Sequence, residues 1–401
     1  MTSIFSAATP TEVKAASIVS TRNAAYDRAR TFIILFVLIH HSVIPYTYYG
    51  QFDRQSFLGF DGVVLFVDSS LMAAMFFLSG LFVWPSLQRK GIGHFLRDRW
   101  LRLGLPFAVS AVILMPVAYY ATYLHLHGGP SFGTFWWKTV TVGPWPSGPV
   151  WFIWVLLAFD MLAAVVYRAL PRHVEAIGRR WLTSLKRPTF LFWTLTIASI
   201  IVYVPADLYF GVARWFTLGP FAIQANRILL YLLYFFAGVG IGSVRRELGL
   251  LTGDGELARR WPVWLMAAVV TYSCIVALVV VKHELIADPS DPPLWWNFVY
   301  AIAFACFSAA QTVNLLALFL HFDSDWSILD PLRESSYGIF LIHYVPLLWL
   351  QYGLFLFGIE LAPIPQLTAI IKAVIVFVVT LALSWTATAA LRRIPGARNV
   401  L

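Results

Sequence analysis

Only two cysteines occur in 401 residues, Cys274 and Cys306, and both fall inside apolar runs, so no disulfide framework is implied. Charge is scarce too: Asp, Glu, Lys and Arg together make up 12%, against about 25% in ordinary globular chains. That scarcity rules out the two or three soluble domains that length alone would allow. No cluster has metal-ligand spacing, and neither a P-loop nor a nucleotide-binding glycine fingerprint is present. His125 and His127 form too short a pattern for a metal site. The first twenty residues lack an apolar core of signal-peptide length.

What the chain has in abundance is apolar sequence. Hydrophobic residues reach 59%, and the mean hydropathy is +0.73. Ten runs are long enough to cross a bilayer, at about 31–49, 60–84, 103–124, 149–170, 189–210, 226–244, 261–281, 295–320, 336–357 and 365–391. The expected fold is therefore all-α, a polytopic membrane helix bundle of about ten transmembrane helices. Residues 1–25 read as a flexible N-terminal tail, 26–393 as a single membrane domain and 394–401 as a short C-terminal tail. Pro205, Asp207 and Pro220 leave the 200–230 region least defined.

The net charge of +9 is set by Lys and Arg clustered between spans. Alternate loops hold 23 and five of these residues, and Lys372 lies inside the last span. The positive-inside rule then puts both termini in the cytoplasm. Such clusters are topogenic and imply a lipid bilayer as partner, not nucleic acid.

Three stretches carry candidate chemistry. In the first span, RNAAYDRARTFIILFVLIHHSVIPYTYY, His41 lies eleven residues beyond Arg30. Eleven residues rise roughly 16 Å and return to nearly the same face, so Arg30 and His41 form one stripe from the cytoplasmic mouth to mid-membrane. An ionisable group at that depth is costly and marks a functional site by default, although a histidine bonded to a neighbouring helix is the alternative. His40 points about 100° away. The second stretch, RDRWLRLGLP, opens the third span with Arg97, Arg99 and Arg102, where guanidinium groups suit phosphate and equally anchor a cytoplasmic loop. The third, SSYGIFLIHY, carries Tyr337 near the cytoplasmic mouth and His343 at a depth like that of His41. His343 would share a polar cavity with His41, orient it, or join helices. Asp68 in the second span is a candidate orienting partner for a histidine, in the manner of a triad's third member. MFFLSG reads as a close-packing segment in which Gly80 lets a helix approach.

Taken in order, DRAR with its histidine, MFFLSG, RDRWLRLGLP, GPVWFIWVLLAFD and SYGIFLIH resemble the acyltransferase-3 family of integral membrane acyltransferases, across most of the ten spans. Length and style are similar to the glucan-modifying subgroup that includes glucan biosynthesis protein C-like members. The resemblance implies an O-acyltransferase in a bacterial inner membrane. It would take an acetyl or succinyl group from cytoplasmic acyl-coenzyme A to a hydroxyl of a glycan or other sugar-containing acceptor at the outer face. It implies His41 as the catalytic base, with His40, Asp68 and His343 as further catalytic candidates. Arg28, Arg30, Arg97, Arg99, Arg102 and Tyr337 would bind the coenzyme, with no permanently bound cofactor and no metal. A transporter or flippase of a glycan or lipid-linked precursor is the rival class, and its hallmark, inverted repeats with paired broken helices, is not evident.

Overall fold

The computed structural model describes residues 10–50, 53–129, 131–185, 187–244, 253–322 and 325–400. Helices dominate: α1 (Pro10–Val43), α2 (Gly59–Gly80), α3 (Val83–His127), α4 (Phe132–Thr141), α5 (Trp151–Ala169), α6 (Pro171–Leu185) and α7 (Pro188–Phe210). After a hairpin, β1 (Trp215–Leu218) and β2 (Phe221–Gln224), come α8 (Ile228–Ser243), α9 (Trp261–Leu285), α10 (Leu294–His321), α11 (Ser336–Ile342), α12 (Tyr344–Leu356) and α13 (Pro365–Leu391). Among the described residues nine helices are long and apolar enough to span a membrane, and α11 with α12 makes a tenth as a broken pair. The protein is an all-α, multi-pass membrane bundle, as the apolar runs predict.

Local sequence explains where the helices depart from regularity. Pro346 has no N–H to offer the Ile342 carbonyl, and α11 and α12 meet at His343 with a 48° bend. Within α3 the chain turns at Gly91, whose φ of 72° favours glycine. Further on, α3 holds two π-helical turns, Trp100–Gly104 and Ser110–Leu114, each followed two residues later by a proline. The ill-defined region after Pro205 resolves into the β1–β2 hairpin, with Gly219 (φ 56°) at its turn.

Helix α10 is the most buried of the spans and α9 the least. Small and hydroxyl residues let α10 sit centrally: Ser308 donates to the Ser69 carbonyl of α2, and Asn314 donates to Gln311 at 3.1 Å. Against α2 runs α8, parallel and very close. A Cβ added at Gly80 would fall 2.1 Å from the Phe235 carbonyl oxygen, and one at Gly238 2.2 Å from that of Phe77. The close-packing reading of MFFLSG is thus borne out by the backbone itself. Gly238→Val is expected to force α8 off α2 and cost about 1–3 kcal/mol, the usual penalty of overpacking. Thermal unfolding in detergent checks this; an unchanged midpoint would contradict it.

Candidate active site

Two basic cavities adjoin, one where α1, α3, α5 and α11 converge and one between α1 and the first part of α3. The larger, about 680 Å³, is walled by Arg30, Arg99, Arg102, Arg333 and Arg398 against the carboxylates of Asp27, Asp160 and Glu334, with Ile34, Phe152 and Phe340 lining its apolar part. The smaller, about 440 Å³, shares Arg30, Arg99 and Arg102 and adds Arg89 and Lys90. Asp27 from the start of the first span and Val400, well beyond the last span, line the same cavity.

Each shared arginine is held in place. Arg30 donates to the Leu78 carbonyl at 3.0 Å, lies 3.5 Å from Asp27 and rests on the Phe82 ring at 4.6 Å. Arg99 Nε is 3.2 Å from the buried carboxylate of Asp160 and stands over Phe95. Arg102 is fixed through its backbone. Its carbonyl faces Pro106, which has no N–H, and the Tyr337 hydroxyl donates to it instead.

Further along the first span four rings gather. His41 stacks on His343 with centroids 5.6 Å apart and planes 28° apart. Its other neighbours are Tyr344 at 5.1 Å and His40 at 4.9 Å. His343 Nδ1 lies 2.8 Å from the Phe340 carbonyl, which can only accept, so Nδ1 carries the proton. Nε2 of His343 is buried without a hydrogen-bond partner among the described residues. Beyond the rings lies a third cavity of about 270 Å³, bounded by His41, Pro45, Asp53, Tyr119, His125, Tyr344, Gln351 and Tyr352. Asp53 is anchored by Lys372, 3.1 Å from both carboxylate oxygens, which ties the loop after α1 to α13. His41 thus stands at the edge of an aromatic cavity, on the stripe that begins at Arg30.

The sequence pattern of a family described as an acyltransferase domain matches residues 23–389. The chain belongs to the acyltransferase-3 family. No match is found among curated proteins. The expected residues of this membrane acyltransferase fall into groups in the structure.

Arg30, Arg99, Arg102 and Tyr337 of this acyltransferase converge on the basic cavity, and His41 and His343 converge beyond it. Arg28 does not join them. It makes a bidentate pair with Asp330, Nε to Oδ1 at 2.8 Å and Nη2 to Oδ2 at 2.7 Å. Arg97 lines neither basic cavity. Asp68 pairs with Arg227 at 3.1 Å, while the Arg227 Nη1 donates to the Asp68 carbonyl at 2.9 Å. That ion pair lies on the His40 side, and no hydrogen bond joins Asp68 to His41 among the described residues. Sequence reasoning counted Arg227, Arg333 and Arg398 only as loop charges, and it gave no role to Tyr344 or Gln351. The signal for Gln351 was a proline at 45, four residues after His41.

The Arg28–Asp330 pair lends itself to a pH test. Hydrogen bonding to Arg28 holds the Asp330 carboxyl below its ordinary value. Its contribution is therefore complete above about pH 4 and is lost as pH falls through the lowered value. Asp330→Asn is expected to flatten the acid limb of thermal stability below about pH 4. An acid limb identical to wild type would remove the pair from the stability account.

Proposed function

We propose that this protein is an O-acyltransferase of a bacterial cytoplasmic membrane. It moves an acetyl or succinyl group from cytoplasmic acyl-coenzyme A to a hydroxyl of a glycan, glucan-like or otherwise sugar-containing, at the outer face. The observation that carries the reading is the placement of His41 and His343 between an arginine-lined cavity and an aromatic one.

The donor's phosphates meet Arg30, Arg99 and Arg102, whose planar guanidinium groups match phosphate oxygens in pairs. Its thioester arm passes Ile34, Phe152 and Phe340 toward the histidines. A sugar hydroxyl is a poor nucleophile at neutral pH until a base takes its proton, and imidazole is the side chain suited to that work. His41 accepts the hydroxyl proton as the oxygen attacks the thioester carbonyl. The tetrahedral intermediate then collapses, the C–S bond breaks, and the proton passes to the departing thiolate. An ester and free coenzyme A result, so protons balance and no other reactant is needed. Tyrosines 119, 344 and 352 around the outer cavity provide ring faces and hydroxyls of the kind that sugars stack on and bond to.

The test uses purified protein, acetyl- or succinyl-coenzyme A labelled in the acyl group, and a panel of oligosaccharides. Release of free thiol coupled to label in one acceptor is the expected result. Neither thiol release nor labelled acceptor with either donor would overturn the proposal.

A further inference from the structure

A proline in a helix leaves the carbonyl four residues before it without an N–H partner. Three such carbonyls here are taken by side chains from elsewhere. Pro45 strands the His41 carbonyl, which accepts from Gln351 Nε2 at 2.9 Å. Pro106 strands that of Arg102, which accepts from Tyr337. Pro116 strands that of Val112, which accepts from Trp136 Nε1 at 2.8 Å. The first two differ from the third in what they hold. Each stranded carbonyl belongs to a residue of the candidate active site, and both donors come from the broken span, Tyr337 on α11 and Gln351 on α12. His343, stacked on His41, stands at the break between them.

We propose that Gln351 and Tyr337 are positioning residues, through which the broken span grips His41 and Arg102 by their backbones. The inference rests on the roles given to His41 and Arg102 above. His41 sits in the last turn of α1, where the helix frays into a short 3₁₀ turn at Ile44–Tyr46. Its ring direction is only as fixed as that turn. Gln351 is nearly buried and supplies the donor that Pro45 withholds, so the imidazole keeps its stack on His343. Tyr337 does the same for the π-helical turn that carries Arg102. One rigid pair of half-helices then sets the distance between the phosphate-binding end and the base.

The two grips have separable consequences. Gln351→Leu is expected to lower kcat about a hundredfold with the donor KM little changed, since misplacing a reacting group by about 1 Å costs that much. Tyr337→Phe is expected to raise the donor KM several-fold with the smaller effect on kcat. Both rates are normalised to folded protein, because loss of folded protein alone would lower the apparent kcat at unchanged KM.

The deciding experiment returns the missing N–H. Pro45→Ala gives residue 45 an amide that can bond to the His41 carbonyl, so Gln351→Leu should lose most of its effect in that background. Both kcat and detergent melting temperature are measured for the four proteins of the cycle. Non-additivity in both is the expected result. Equal effects of Gln351→Leu in the two backgrounds would overturn the inference, and so would non-additive stability with unchanged kcat. Wild-type protein that transfers no acyl group instead defeats the proposed function, and the positioning roles fall with it; that case is recognised in the control before any variant is compared.

Discussion

His41→Ala is expected to reduce acyl transfer by about 10²–10⁴-fold, the range that general-base catalysis supplies, with donor binding retained. The reason is position. Of His40, His41 and His343, His41 is the one that lines the aromatic cavity, and it does so on the stripe that runs from Arg30. His40 lies within electrostatic reach of Asp68 and Arg227, so His40→Ala should act mainly through stability. His343→Ala should fall between the two. Its Nδ1 hydrogen bond to Phe340 fixes the ring against which His41 stacks, but His343 does not line the outer cavity. Transfer rates of the three variants, normalised to folded protein, decide the order. Normal activity in His41→Ala would end the assignment, and a larger loss in His40→Ala would move the base to the neighbouring ring.

The second large effect belongs to the arginines, and it separates two that the sequence treats alike. Arg102 makes no ion pair among the described residues, so its side chain is free to serve a phosphate. Arg102→Ala is expected to raise the donor KM by about 10- to 150-fold, from the roughly 1.5–3 kcal/mol of a charge-assisted hydrogen bond. Arg102→Lys should recover only part, because an ammonium lacks the guanidinium fork. Arg99 is different. Its partner Asp160 is wholly buried, and removing the arginine strands that carboxylate. Arg99→Ala is expected to destabilise the protein by about 3–5 kcal/mol as well as weaken the donor. Adding Asp160→Asn should restore stability but not donor affinity. Titration with coenzyme A alongside melting curves reads both, and an Arg102→Ala protein that binds coenzyme A as wild type does would contradict the phosphate role.

How much of this the sequence disclosed follows from the range of the forces involved. Burial in a bilayer is a property of a continuous run, so the spans are legible one at a time. Depth along a helix is simple arithmetic, which is why Arg30, His41, Arg102 and His343 were found at positions that now converge. Pairings between helices are another matter. Asp68 and Arg227 meet across 159 positions because glycines bring α2 and α8 together, and Arg28 meets Asp330 across 302. No local pattern encodes either. The prolines are intermediate cases. Each announces a stranded carbonyl four residues earlier, at His41, Arg102 and Val112, yet only the packed bundle reveals that Gln351, Tyr337 and Trp136 answer them.

Sidedness tests the central claim most directly. The protein is reconstituted in sealed vesicles of known orientation, with labelled acyl-coenzyme A supplied to one face and an accepted oligosaccharide confined to the other. Labelled acceptor should form only when the donor is on the face that carries Arg30, Arg102 and Arg398, and the acceptor on the face of Pro45, Asp53 and His125. Product formed with donor and acceptor both on the outer face, or equally in either arrangement, would contradict transfer through the bundle past His41.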